Sequence, residues 1–199
     1  MNTTVTSKEE ILRISRELIQ TQGWKAINIR AVAKECNISI GSIYNYFHNK
    51  SDLIAATVES VWQDIFHFPE NTAVFNSFVG CVEWAFDSMK MGEERYPGFF
   101  AFHSMVFMKD EKGNGQQMMA ESWKHINEGL YQVLLHDPKV DMNTFDEEFT
   151  PQKFVEIIFS LIIAAIIRHE YDCSGITGMI RRTVYKKIRE NGTALIKQE

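Results

Sequence analysis

Side chains that could donate hydrogen bonds to phosphate oxygens lie close together between residues 40 and 50. Tyr44 and Tyr46 end in phenol hydroxyls, and Lys50 ends in an ammonium group. Gly41 stands among them, although glycine costs a helix about 1 kcal/mol relative to alanine. A glycine is favoured where a phosphate chain approaches the backbone closely. The segment therefore indicates contact with a nucleic acid.

Two short helices separated by a three-residue turn would position these groups. Asn28 can cap a helix over residues 29–36, and Ser39 can cap a second helix over residues 40–46. Asn37 falls in the turn, where it tolerates the positive φ that such a turn requires. The pattern predicts a helix-turn-helix. The residues of its second helix that could reach base edges in a major groove are Ile40, Ser42 and Asn45.

Capping motifs and apolar spacing predict helices along the rest of the chain. Ser7 opens a capping box for a helix over about residues 8–21, and Asn49 can cap a long helix that ends near Pro69. The 11 glycines and 4 prolines are few, as a mostly helical chain requires. Further helices are expected near residues 72–91, 97–109, 114–136, 151–171 and 175–191. The expected fold class is all-α, with about nine helices.

Charge is distributed unevenly along the chain. The formal net charge is −5, which by itself disfavours a nucleic-acid partner. Residues 1–55 nevertheless hold seven Lys and Arg against five Asp and Glu, whereas residues 56–199 hold 14 against 21. A polyanion would therefore bind the first quarter of the chain. We expect a three-helix head over residues 1–55 and a helical body over residues 56–199.

The sequence contains no pattern that supports catalysis, a cofactor or a metal. A P-loop, a G-x-S-x-G elbow and a dinucleotide-binding fingerprint are all missing. The three cysteines are widely spaced, and the six histidines lack the i, i+4 pairing of a metal site. We expect neither an enzyme nor a cofactor. The longest apolar run, residues 154–167, is shorter than the roughly 20 residues that span a bilayer, so we expect a cytoplasmic protein without a membrane segment.

The order and spacing of residues in the head carry a family resemblance. The residues concerned are Gly23-Trp24, Asn28-Ile29-Arg30-Ala31-Val32-Ala33 and Asn37-Ile38-Ser39-Ile40-Gly41-Ser42-Ile43-Tyr44-Asn45-Tyr46-Phe47-His48-Asn49-Lys50-Ser51-Asp52-Leu53. Over about residues 8–55 the chain resembles the tetracycline-repressor (TetR/AcrR) family of bacterial transcriptional regulators. The resemblance implies that the second helix of the motif enters the major groove, with Gly41, Tyr44 and Lys50 at the positions of close approach and phosphate contact.

The resemblance and the residue types together define a candidate DNA-binding set. Tyr46 stands where the family usually has His, and Asn28 stands where it usually has Thr; both can still donate hydrogen bonds. Arg30 fits a phosphate contact and a solvated surface charge equally well. The candidate DNA-binding residues are Asn28, Arg30, Ser39, Ile40, Gly41, Ser42, Tyr44, Asn45, Tyr46 and Lys50.

An aromatic-rich segment is the candidate site for a small hydrophobic effector. Residues 75–107 hold nine aromatic side chains with methionines between them, which favours an apolar cavity. The resemblance implies that such a ligand relieves repression by moving the helix that begins at Lys50. The candidate ligand-binding residues are Trp84, Tyr96, Phe99, Phe102, His103, Phe107 and Trp123. For any one of them a place in a bulky core is the simpler interpretation, and a body that binds a protein partner or has no effector is the alternative function.

The last two predicted helices carry a wide apolar stripe that favours a homodimer. The family resemblance places a dimeric four-helix bundle there, and two heads would then read half-sites of a near-palindromic duplex operator. The alternative is a monomer whose own core uses the whole stripe. The candidate interface residues are Ile158, Leu161, Ile162, Ala165, Ile176, Ile180 and Val184.

Overall fold

The computed structural model describes residues 6–66, 75, 77–100 and 114–186, and within 114–122 it describes the backbone alone. The α-helices of these ranges are α1 Lys8–Gln22, α2 Ile29–Glu35, α3 Ile40–Tyr44, α4 Lys50–Ile65, α5 Phe78–Arg95, α6 Asn114–His136, α7 Pro151–Arg168 and α8 Ser174–Thr183. Short 3-10 turns cover Trp24–Ala26 and Met142–Thr144. The all-α prediction is confirmed, because strand pairing in the described ranges is limited to one antiparallel bridge. None of the helices described is long and apolar enough to cross a membrane.

The head helices begin at the capping residues that the sequence predicts. The Ser7 hydroxyl oxygen accepts the backbone N–H of Glu10 at 3.1 Å. The Asn49 side chain accepts the N–H of Asp52 at 2.9 Å, and the Asp52 carboxylate accepts the N–H of His48, also at 2.9 Å. Each cap satisfies an N–H that has no partner inside the helix. These local bonds fix the residues at which α1 and α4 start.

Two residues with positive φ fix the connections around α2. Gly23 has a φ of 76° and ends α1, with its N–H donated to the Ile19 carbonyl at 2.8 Å. Asn37 has a φ of 52° in the turn between α2 and α3, as predicted. Because few residues other than Gly and Asn adopt this backbone region at little cost, both turns are encoded locally.

Several helix ends differ from the predicted ones. The helix expected over 72–91 runs from Phe78 to Arg95, because the hydroxyl of Ser77 caps it. The helix expected over 175–191 ends at Thr183, because residues 184 to 186 leave it to form backbone hydrogen bonds with residues 139 and 141. The long helix expected to end near Pro69 ends at Ile65. Most of the helix expected over 97–109 lies outside the described residues.

The buried carboxylate of Asp137 connects three segments of the body through hydrogen bonds. Asp137 follows α6, and its Oδ2 accepts the N–H of Phe78 at 2.8 Å and the hydroxyl of Tyr185 at 2.5 Å. The Tyr185 oxygen accepts the N–H of Val79 at 3.1 Å. Burial, followed by the bond to Asp137, raises the pKa of Tyr185 to about 12. The network caps the start of α5 and ties it to the chain that follows α8.

The head and the body share α4, which packs on α1 and α5. The Arg16 guanidinium donates a hydrogen bond to the Ser60 hydroxyl between α1 and α4. A Cβ built on Gly92 of α5 would lie 2.8 Å from a methyl carbon of Ile65, so the absence of a side chain at residue 92 lets α4 and α5 approach closely. At the same end, Asp64 accepts the Tyr96 hydroxyl at 2.8 Å. The head therefore continues into the body without a flexible linker.

Candidate nucleic-acid interface

Helix α3 has one buried face and one exposed face. Ile43 and the following Phe47 are buried against the head core and hold the helix in place. The opposite face, at i, i+1, i+4 and i+5 spacing, consists of exposed residues. The residues of this exposed face are Ile40, Gly41, Tyr44 and Asn45. The structure thus brings four of the ten candidate DNA-binding residues together on a surface available to a duplex.

Ser39 and Ser42 are engaged with each other. The Ser39 hydroxyl oxygen accepts the N–H of Ser42 at 3.0 Å, and the two hydroxyl oxygens lie 2.9 Å apart within one hydrogen bond. Ser39 therefore acts first as the N-cap of α3, and its predicted DNA contact requires a rearrangement of this pair or uses the remaining hydroxyl hydrogen.

The packing around position 41 does not require glycine, because the side chain of an alanine would have room there. A Cβ at this position would meet a single neighbour, the Ser39 hydroxyl oxygen, at the ordinary contact distance of 3.6 Å. Its backbone lies in a helix, where glycine is less favourable than alanine by about 1 kcal/mol. Glycine at position 41 therefore lowers the stability of the fold. In exchange, the missing side chain allows another molecule to approach the α3 backbone closely.

The two tyrosines of the candidate set differ in what their hydroxyls do. Tyr44 is 49% exposed. The Tyr46 hydroxyl donates a hydrogen bond to the Thr6 carbonyl oxygen, 2.5 Å away. A phosphate oxygen only accepts hydrogen bonds, so Tyr46 in this arrangement has no hydrogen left to offer it. Tyr46 thus holds the chain that precedes α1, and its predicted phosphate contact would require the bond to Thr6 to be exchanged.

Exposed cations lie at the start of α2 and α4, the helices that precede and follow α3 in the sequence. Lys50 is the first residue of α4 and is held there by the Asn49 cap, and Arg30 lies in the first turn of α2. Among the described residues, neither takes part in a salt bridge, whereas Arg13 on α1 is paired with Glu10 and Glu17. Lys50 also lines a groove of about 180 Å³ together with Trp24, Lys25, Ile27 and Ile54. The cations on the α2 and α4 side of the head are thus available to a polyanion.

Asn28 is chiefly a capping residue. Its Oδ1 accepts the N–H of Ala31 at 3.0 Å, and its Nδ2 donates to the Ala26 carbonyl at 3.1 Å. One amide hydrogen is left for an external acceptor.

The first quarter of the chain matches a family of known DNA-binding proteins. The model of the bacterial regulatory proteins of the tetR family matches residues 11–57, which contain α2, α3 and the start of α4. The fold of nearly the whole chain is also that of solved transcriptional regulators. Residues 11–57 therefore belong to the DNA-binding domain family of the bacterial tetR regulators. This match assigns DNA binding to the head of the protein.

Three solved structures with this fold share little sequence with the regulator. A transcriptional regulator from Rhodococcus sp. Rha1 is 13% identical, with a TM-score of 0.62 over 90% of this chain and 98% of its own. FadR from Bacillus subtilis, solved with stearoyl-CoA, is 16% identical, with a TM-score of 0.60 over 88% and 96% of the two chains. BioQ from Mycobacterium smegmatis is 11% identical, with a TM-score of 0.53 over 87% and 88%. No protein of curated function matches the chain by sequence.

The candidate effector residues fall into separate places. Tyr96 and Phe99 have no exposed surface and belong to the packed core, so their predicted contact with a ligand would require this core to open. Burial, followed by the bond to Asp64, raises the pKa of Tyr96 to about 12. Trp84 is half-buried, and its ring lies 5.3 Å from that of Phe75. The remaining members of the segment, Phe102, His103 and Phe107, lie outside the described residues.

Trp123 lies apart from that core, beside an open groove between α6 and α7. Its ring meets Phe159 of α7 edge-on at 5.9 Å. The groove has a volume of about 320 Å³. The buried Oδ1 of Asn127 at its wall has no hydrogen-bond partner among the described residues. The groove is lined by Trp123, Asn127, Glu156, Phe159, Ser160 and Ile163.

Most of the candidate dimer residues are buried within one chain. Their side chains are buried in the hydrophobic core of a single chain, so they are not available to a second copy; these residues are Ile158, Ile162, Ala165, Ile180 and Val184. Leu161 and Ile176 are partly exposed. The large apolar side chains of α7 and α8 that do face outward are Ile157, Ile167 and Met179. Leu161 lies on the partly exposed side of α7, whereas Ile158, Ile162 and Ala165 lie on its buried side. The periodicity of α7 does not separate the two sides, because the helix is apolar on nearly all of them.

Proposed function

We propose that this regulator is a homodimeric repressor that leaves its operator when a small hydrophobic molecule binds the body. In this proposal residues 1–55 bind DNA, and residues 56–199 bind the ligand and the second subunit. The protein would act in the cytoplasm, where its operator lies. The alternative is a DNA-binding protein of the same family whose body responds to a protein partner or has no effector.

Gly41 is the observation that carries the DNA-binding half of the proposal. The chain tolerates a destabilising residue in α3 although nothing within it requires glycine there. The exposed Tyr44 and Asn45 flank this position on the same face, and Lys50 begins the next helix. A phosphate-contacting rim around a base-reading face is what duplex recognition requires.

The dimer half of the proposal rests on the outward apolar side chains of α7 and α8. Ile157 and Ile167 are 48% and 63% exposed, which is unusual for such large aliphatic residues. With the small Ser160 and Ala164 between them, they follow the spacing i, i+3, i+7, i+10, which forms one stripe along a helix. A second copy packed on this face would remove the apolar surface from water and bring two heads to one duplex.

Support for the effector comes from the aromatic content of the body and from a structural relative. The ring of Phe66, just after α4, lies 5.2 Å from that of Trp62 in α4 and 6.2 Å from that of Trp84 in α5. FadR from Bacillus subtilis, which has this fold, was solved with stearoyl-CoA. We therefore propose a long apolar ligand and include acyl-CoA molecules among the compounds to be tested.

Selection of bound duplexes from a random DNA pool tests the function directly. We expect a near-palindromic site whose half-sites are separated by about 34 to 36 Å or a multiple of that distance. Recovery of no preferred sequence would contradict the proposal. With the selected duplex, fluorescence anisotropy in the presence of stearoyl-CoA, free fatty acids and flat aromatic compounds then tests release. A protein that binds DNA but neither releases it nor gains thermal stability with any compound would favour the alternative.

A further inference from the structure

Phe99 of the body lies between the head and α4. Its ring stacks on Trp24 of the head, with centroids 5.3 Å apart and an interplanar angle of 26°. It meets Trp62 of α4 edge-on, also at 5.3 Å and at 68°. Phe99 has no exposed surface. One body side chain is thus in contact with both the DNA-binding head and the helix that joins the head to the body.

Trp24 lies at a position from which the orientation of α3 can be controlled. It begins the 3-10 turn between α1 and α2, and α2 leads through one turn into α3. The neighbouring Phe100 meets Trp62 edge-on at 5.7 Å. Phe99 and Phe100 thus both contact Trp62, and Phe99 also stacks on Trp24 of the head.

The body segment that carries Phe99 is also held by polar contacts. Tyr96, three residues earlier, bonds to Asp64 near the end of α4, and Arg95 forms a salt bridge with the same carboxylate at 2.9 Å. The Glu93 side chain accepts the N–H of Gly98 at 3.0 Å. Phe99 consequently has a fixed position in the body. Its stacking on Trp24 therefore restrains the orientation of the head relative to the body.

We propose that Phe99 is a positioning residue for DNA binding: through Trp24 it holds the head at a defined angle to the body, in addition to the connection through α4. The inference rests on the proposed function, because it requires a dimer that binds an operator with two half-sites. A head held at one angle accepts one separation of half-sites, and a head released from Phe99 accepts several. The expected consequence is a change in spacing selectivity rather than in base preference or phosphate contact.

The test compares Phe99→Leu with Phe100→Leu on a series of operators. The selected duplex is altered by one or two base pairs between its half-sites in either direction, and affinity is measured for each spacing. We expect the wild type and Phe100→Leu to prefer the same spacing. Phe99→Leu should lose about fivefold in affinity at that spacing, the size expected for one aromatic pair, and little at the others. The salt dependence of binding should not change, because phosphate contacts are retained.

Trp24→Leu removes the same ring pair from the head side and provides a second variant if Phe99→Leu folds poorly. It should flatten the spacing profile in the same way, with thermal unfolding confirming that each variant is folded. An equal loss at every spacing, or a profile identical to that of the wild type, would overturn the inference while the proposed function stands. A wild type that binds no duplex, or has no preferred spacing, would overturn both.

Discussion

The hydroxyl of Tyr46 is hydrogen-bonded to the backbone carbonyl of Thr6, 2.5 Å away, while the hydroxyl of Tyr44 two residues earlier lies on an exposed face. We therefore expect Tyr44→Phe to weaken DNA binding by about tenfold, through loss of one hydrogen bond to a charged phosphate, and to leave stability unchanged. Tyr46→Phe should instead lower the free energy of unfolding by up to about 1 kcal/mol. Anisotropy titrations and urea unfolding of both variants check the assignment. The reverse pattern would contradict it.

Replacement of Gly41 by alanine should separate stability from function. We expect Gly41→Ala to raise the free energy of unfolding by up to about 1 kcal/mol, because alanine is the better helix former and its Cβ has room. DNA affinity should fall, because the added methyl group meets the duplex. Gly175→Ala in α8, also with open space around its Cβ, is the matched control and should leave DNA affinity unchanged. A Gly41→Ala protein with undiminished affinity would argue against close approach at α3.

The ammonium group of Lys50 is expected to contact a phosphate. Lys50→Ala should reduce affinity on every sequence and lower the slope of log affinity against log salt by about one unit, because one fewer counterion is released. Lys90→Ala, an exposed lysine of α5 in the body, is the control and should change neither quantity. An unchanged slope for Lys50→Ala would show that Lys50 does not contact the backbone.

The parts of the head that depend on neighbouring residues could be predicted from the sequence. The caps at Ser7, Ser39 and Asn49 and the positive φ of Asn37 depend on short-range hydrogen bonds and backbone sterics, so spacing alone reveals them.

Contacts between distant segments could not be predicted in this way. The bond of Tyr46 to Thr6 joins residues 40 positions apart, and no local pattern encodes it. The sequence does not distinguish the exposed side of α7 for a related reason: Ile157 and Ile158 are equally apolar, and only the packed neighbours decide that Ile158 is buried. The single available signal was the small Ser160 and Ala164 beside the outward residues.

The buried hydroxyl of Tyr96 should make the stability of the protein sensitive to alkaline pH. Its pKa rises from 10 to about 12 because it is buried and bonded to Asp64. A raised pKa means that the folded state holds the proton more tightly than the unfolded state does. The resulting stability is therefore fully present below pH 10 and is lost as the pH rises to about 12.

Urea unfolding between pH 9 and pH 12 measures this contribution. The free energy of unfolding of the wild type should fall as the pH rises through this range. Tyr96→Phe should reduce the slope of that fall by up to about 1.4 kcal/mol per pH unit. Tyr185→Phe should give a similar reduction, because the pKa of Tyr185 is also raised to about 12. Wild-type and variant curves that run parallel across this range would contradict the proposed linkage.

The exposed face of α7 should be the site of self-association. We expect the wild type to be a dimer by light scattering at micromolar concentration and Ile167→Asp to be a folded monomer, because a carboxylate on this face cannot be buried without a partner. Leu135→Asp places the same charge on an exposed apolar position of α6 and should remain dimeric. A monomeric wild type, or an Ile167→Asp dimer of unchanged affinity, would reject this face.

The contact between Gly92 and Ile65 limits how this chain can vary among its relatives. With no space between the α5 backbone and the Ile65 side chain, a larger residue at position 92 is compatible with the fold only beside a smaller residue at position 65. The two positions should therefore covary, so that substitutions at one are accompanied by compensating substitutions at the other.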